Sequence, residues 1–137
     1  MHHNPKEFIG VDVGDNRVGI ARGSDIARIA EPLRTVDAVD ALAAIASLSR
    51  DLRVSGVVVG LPRGLGGDET SQTKTVKDWA KTARQHIKLP FYWQDEALTT
   101  KLAEQGAPHN AGSDAVAASI ILQDFLDTPE NDRVEIG

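Results

Sequence analysis

The sequence predicts an α/β fold: a mixed five-stranded sheet in the order β-β-β-α-β-α-β-α-α, with helices on both faces. Three observations predict it. An apolar, β-branched hairpin opens the chain. Gly56 to Leu61 reads GVVVGL, an apolar run of the kind that strands buried in parallel sheets carry. From that point extended and helical patterns alternate, and parallel strands need such crossovers.

Each element can be justified in order. Phe8 to Val13 (FIGVDV) is short and apolar, as a buried strand should be. Gly14-Asp15-Asn16 is turn chemistry, and Val18 to Ala21 resumes the apolar run, so the two segments form a hairpin. Ile26 to Leu33 is a weaker strand, ending near Pro32. Asp37 or Asp40 can cap a helix over 38–52, which repeats apolar residues at Val39, Leu42, Ala43 and Ala46. After the Gly56 to Leu61 strand, Pro62 to Gly67 is a loop, and Thr70 or Ser71 opens a helix to about Ile87. Leu89 to Trp93 is a strand, Leu98 to Gln105 a short helix, and Gly106 to Gly112 a loop. Ser113 caps a last helix from Asp114 to Leu126, and the polar tail after Thr128 should fray. No linker, repeat or low-complexity stretch divides the 137 residues, so one domain is expected over 1–137, with an ordered core at about 8–127.

The composition is globular, 41% hydrophobic and 26% charged. With no cysteine, disulfides and thiolate metal sites are excluded. No apolar run has membrane-span length, and the start lacks a signal-peptide apolar region. The expectation is a soluble cytoplasmic protein with no membrane partner. His2 and His3 read as a flexible start rather than a metal site. The net charge of −5 argues against a simple non-specific nucleic-acid binder. It leaves room for an enzyme that gathers carboxylates around a metal and keeps its basic residues on another face.

Three carboxylate positions could carry such chemistry. Asp12 interrupts an apolar strand, where a lone carboxylate costs several kcal/mol unless something compensates it. Asp95 and Glu96 follow the strand LPFYW at its C-terminal end, where ligand crevices form in open α/β sheets. Asp114 starts the last helix. Hard oxygen ligands of this kind suit Mg²⁺ or Mn²⁺, and two such ions could clamp a phosphodiester. Blander readings stand beside these: an edge residue for Asp12, and acids favoured in a helix first turn for Asp95, Glu96 and Asp114.

Four segments in order, FIGVDVGDNRVGIA, VVVGLPRGLGGDE, YWQDEALTT and SDAVAASIIL, resemble the signatures of the YqgF/RuvX family. Its members are described as Holliday junction resolvases or pre-16S rRNA nucleases, within the RNase H-like superfamily. The resemblance runs from Phe8 to about Leu126. It implies an RNase H-like fold and a Mg²⁺- or Mn²⁺-dependent nuclease with three metal-binding acids: Asp12, the Asp95-Glu96 pair with Glu96 preferred, and Asp114. It also implies a nucleic-acid substrate, with structured RNA such as the 5′ end of pre-16S rRNA favoured over branched DNA. Where the family commonly has Arg after the Asp-Glu pair, this chain has Ala97.

Lys74, Lys77, Lys81, Arg84 and Lys88 fall within roughly 80° of one helix circumference at about 100° per residue. This ridge could contact phosphates or be a solvated face. Val76, Trp79, Ala80, Ala83 and Ile87 fall on another side, suited to packing. Arg17 in the hairpin turn and Arg63 in the Gly/Pro loop are further backbone-contact candidates. The loop GLPRGLGGDE lacks the Lys-Ser/Thr ending of a P-loop, which argues against nucleoside triphosphate binding there. Thr99 and Thr100 read as helix-start residues, and His86 and His109 as surface residues. Two other classes remain: an actin-like ATPase, for which the chain is too short, and a nucleic-acid-binding module with little turnover. Monomer and homodimer are both compatible with the sequence.

Overall fold

The computed structural model describes residues 5–96 and 113–137. Its sheet contains β1 (Glu7–Val13), β2 (Arg17–Ser24), β3 (Ala30–Asp37), β4 (Val54–Leu61), β5 (Phe91–Asp95) and β6 (Val134–Glu135), in the spatial order β3-β2-β1-β4-β5-β6. The described helices are α1 (Ala41–Asp51), α2 (Ser71–His86) and α3 (Ser113–Asp127). β1 pairs antiparallel with β2 and parallel with β4, so the sheet is mixed as expected. The expected helix over 98–105, the loop over 106–112, Ala97, Thr99, Thr100, His109, His2 and His3 lie outside the described residues.

Side-chain alternation sorts the strands onto two cores. Ile9, Val11, Val18, Ile20, Val57, Val59 and Phe91 face one side, where they pack with Ile45 of α1 and Val76 and Ala83 of α2. Phe8, Ala21 and Val58 face the other, against Ala118, Ile121, Leu122, Phe125 and Leu126 of α3. Both faces of the central strands are therefore dry, which explains the unbroken apolar run in β4. On the α3 side the sheet floor is paved with glycine. A Cβ on Gly10 would stand 2.7 Å from Leu122 Cβ, and one on Gly60 would overlap the Ile121 side chain. Helix and sheet approach so closely because those positions carry no side chain.

Three expectations need correction. The sheet has six strands, not five, because the tail is ordered. Glu135 and Val134 pair with Tyr92 and Trp93, and Ile136 N donates to Phe91 O at 2.8 Å. The Arg133 guanidinium lies 4.4 Å from the centre of the Phe125 ring, a cation–π contact. The pairing of β6 with β5 joins segments about forty residues apart, which a local polarity pattern does not register. Second, β3 runs over 30–37 rather than 26–33. The residues before it form the hairpin turn, with Arg28 N bonded to Ser24 O and Arg28 in the left-handed region at φ 53°. Pro32 sits inside β3 instead of ending it. The strand is an edge, and its pairing with β2 shifts register between Ile20 and Ala21, leaving an irregularity where a missing N–H is tolerated. Third, Asp37 and Asp40 occupy the capping positions before the 3₁₀ turn Ala38–Asp40 and before α1, but neither makes a side-chain cap bond.

Thr70 does cap α2, accepting from Thr73 N at 3.2 Å while the Thr73 hydroxyl accepts from Thr70 N at 3.0 Å. None of the described helices is long and apolar enough to cross a membrane.

Candidate metal and nucleic-acid site

Asp12 lies near the C-terminal end of β1 and is half-buried. Alternation with Val11 and Val13, both in the α1/α2 core, places it on the α3 face. Its partner across the hairpin is Gly19 of β2. The parallel register with β4, which pairs Val11 with Val59, continues toward Gly60. Asp12 thus stands in a row of glycines.

The two other acids flank that row. A Cβ on Gly60 would lie 3.3 Å from Glu96 Oε1, so the Glu96 carboxylate rests over Gly60 on the α3 face. The Glu96 amide holds on to β4 by donating to Leu61 O at 3.2 Å. On the opposite side, a Cβ on Gly19 would overlap the backbone of Asp114. The first turn of α3 therefore sits directly on β2, and its partial positive charge favours carboxylates nearby.

Asp95 and Glu96 separate by one residue and so by one face. Phe91 and Trp93 belong to the α1/α2 core and Tyr92 to the α3 core, so Asp95 follows the former and Glu96 the latter. Asp95 instead meets Arg63, whose Nε donates to Asp95 Oδ1 at 3.2 Å.

Asp12, Glu96 and Asp114 thus share one face and one end of the sheet. Among the described residues, however, no three acidic or histidine side chains converge on a single point. Asp114 is turned toward Arg17, whose Nε donates to Asp114 Oδ2 at 2.8 Å. The donor set, all carboxylate oxygen, fits a hard divalent cation. The residues present fit such an ion.

The basic candidates divide. α2 begins at the same end of the sheet as the carboxylates, on the opposite face: Gln72 Nε2 donates to Val13 O at 3.0 Å, and the buried Thr73 hydroxyl donates to Pro62 O. Neither residue was singled out from the sequence, because both act through backbone carbonyls far away in the chain. Lys74 and Lys77 lie within the first two turns, near Arg63. Lys77 pairs with Glu69. Its hydrogen bond and then its charge hold the Glu69 carboxyl below the usual carboxylate range against opposing desolvation, and Arg63 and Lys74 add to the effect. Lys81 and Arg84 lie further along α2, Arg84 about 15 Å from Lys74 at about 1.5 Å per residue. Arg84 Nη1 donates to Gly137 O at 3.0 Å. His86 is exposed, and Trp79 packs against the core.

The profile of the family described as RuvX, Holliday junction resolvase, matches residues 6–128. The chain belongs to the RuvX family. A family relative from Roseiflexus sp. (strain RS-1), named "Putative pre-16S rRNA nuclease", is 39% identical over 93% of this chain and 99% of its own. One of the same name from Rickettsia conorii is 37% identical over 90% of this chain and 88% of its own. Among solved structures, the family fold resembles T. thermophilus RuvC in complex with a Holliday junction substrate. The TM-score is 0.60 and the identity 14%, over 96% of this chain and 99% of that one. A Thermus thermophilus RuvC structure gives a TM-score of 0.58 at 15% identity, over 95% of this chain and 99% of that one. The likeness is one of fold, the RNase H-like fold expected from the sequence.

Proposed function

We propose that this RuvX-family chain is a divalent-metal-dependent nuclease that hydrolyses phosphodiester bonds in structured RNA, as the names of its pre-16S rRNA nuclease relatives suggest. One observation carries the reading: Asp12, Glu96 and Asp114 lie on a single face and at a single end of the sheet, brought there by glycines that let α3 settle onto the strands. These three would hold Mg²⁺ or Mn²⁺, with two ions in the arrangement favoured for phosphodiester hydrolysis. The ion, when bound, supplies charge stabilisation at the phosphodiester and helps ionise the attacking water.

The chain's own groups do the remaining work. Arg63, Lys74 and Lys77 gather around Glu69 at the start of α2, at the same end of the sheet as the carboxylates, and would hold substrate phosphates by charge-assisted hydrogen bonds. The N-terminal turn of α3 orients Asp114. Gln72, through Val13 O, holds the end of β1 and so the backbone beside Asp12. Glu96 is placed by its own amide bond to Leu61 O. No covalent intermediate is needed. Ribosomal RNA precursors are a cytoplasmic substrate in bacteria, and we assign the protein to that compartment.

Branched DNA is the second reading, favoured by the family description and by the RuvC fold likeness. The test is Mn²⁺-dependent cleavage of a labelled RNA stem and a four-way DNA junction by wild type and Asp12→Asn. Wild type is expected to cleave the RNA faster, and Asp12→Asn to lose about 10²-fold or more of the rate on either substrate. Equal activity in both proteins removes the nuclease reading, and faster cutting of the junction replaces RNA with branched DNA.

The division of the basic ridge predicts unequal charge reversals. Lys74→Glu is expected to weaken binding of the RNA stem about fivefold or more and to flatten its salt dependence. Lys81→Glu should change it less than about twofold. Fluorescence anisotropy across a salt series checks this, and equal losses would restore the whole helix face as the contact surface.

A further inference from the structure

Arg17 and Asp114 come from opposite ends of the chain, yet the Arg17 Nε to Asp114 Oδ2 distance is 2.8 Å. The carboxylate is the less exposed partner, its side chain 20% accessible against 44% for the arginine. Arg17 opens β2 immediately after the turn that follows Asp12, and the first turn of α3 lies on Gly19, two residues further along the same strand. The guanidinium is therefore anchored by its backbone beside the carboxylates but keeps an open side toward solvent. It is a planar, forked donor.

We propose that Arg17 is a latch that couples metal loading to substrate binding: with no substrate it occupies Asp114, and a substrate phosphate draws it off and frees that carboxylate for the ion. This rests on the metal-nuclease reading above. Three physical facts carry it. A guanidinium and a divalent cation compete for the same carboxylate oxygens, so the ion pair lowers metal affinity in the free protein. Arginine pairs with phosphate in the same forked geometry that it uses for carboxylate, so a phosphate diester can replace Asp114 as its partner. The pair is half-open to water and held by about as much energy as an exposed ion pair offers, so exchange of partners is cheap. Arg17 is thus a positioning residue that acts through Asp114.

Linkage makes the consequence measurable. If the substrate removes a competitor of the metal, it raises metal affinity, and the metal raises substrate affinity by the same factor. The device would keep the metal site weak until nucleic acid arrives.

The experiment titrates Mn²⁺ by calorimetry into wild type, Arg17→Gln and Arg17→Lys, with and without a short RNA stem whose integrity after each titration is checked on a gel. Without RNA, Arg17→Gln should bind Mn²⁺ about fivefold more tightly than wild type, and Arg17→Lys should lie between them. With RNA, wild type should gain about fivefold in Mn²⁺ affinity and Arg17→Gln should gain less than about twofold. Glutamine would weaken metal binding if Arg17 merely braced the start of α3, so unchanged or weaker binding in Arg17→Gln overturns the latch. An equal RNA-induced gain in both proteins also overturns it, since the ions gathered by RNA would then account for the effect. If wild type binds no more Mn²⁺ than Asp12→Asn, the metal-nuclease reading itself falls, and the latch with it. Melting temperatures of the three proteins confirm that each is folded.

Discussion

Glu96→Gln is expected to lower metal-dependent cleavage by about 10²-fold or more, whereas Asp95→Asn should lower it by less than about fivefold. The two acids are neighbours in sequence and equal in chemistry, so only the pleat of β5 separates them. Tyr92 belongs to the α3 core and Phe91 and Trp93 to the other. Counting on by twos carries Glu96 to the face of Asp12, and Asp95 to the face of α1 and α2. The Glu96 Oε1 position over Gly60 agrees with the count. Asp95 has a side chain 67% exposed and is paired with Arg63. Removing its charge loosens a surface ion pair worth at most about 1 kcal/mol. Initial rates at saturating Mn²⁺, together with calorimetric Mn²⁺ titration, check the pair. An Asp95→Asn loss equal to that of Glu96→Gln would mean that the chain after β5 turns so as to present both acids to the site.

Much of this site could be read before the fold was known. Asp12 stood out because an apolar strand has no ordinary use for a carboxylate, and the pairing of faces along FYWQDE was implicit in strand periodicity. The hairpin, the apolar β4 and the α2 cap were equally local features. What the sequence left unread depends on tertiary approach. Arg17 was legible as a candidate phosphate contact, but nothing near it in the chain reveals that Asp114 lies 2.8 Å away. The basic ridge looked uniform because helix periodicity gives a residue's angle around the axis, but not its distance from an active site. β6 was missed because two residues that pair with a sheet edge have no pattern of their own. Its anchoring contacts, Arg133 on Phe125 and Ile136 on Phe91, are made by side chain and backbone groups unremarkable in isolation.

The glycines are the least legible and have the largest structural consequence. Gly19→Ala is expected to destabilise the protein by about 1–3 kcal/mol, a fall in Tm of several degrees or more. A Cβ there would overlap Asp114 O and stand 2.8 Å from Ala115 N. Both are backbone atoms, so no rotamer change relieves the contact, and the first turn of α3 must lift from β2. Gly64→Ala provides the contrast. The nearest atom to its Cβ would be Thr70 Cγ2 at 3.5 Å, an ordinary contact, so stability should change by less than about 0.5 kcal/mol. Thermal melts of the two variants check the difference, and an unchanged Tm for Gly19→Ala would mean that α3 does not rest on β2 as closely as described. The same displacement should carry Asp114 away from Asp12 and Glu96. Gly19→Ala should therefore lose activity and stability together, while Glu96→Gln loses activity with little change in Tm. That separation distinguishes a residue that builds the floor of the site from one that supplies its chemistry.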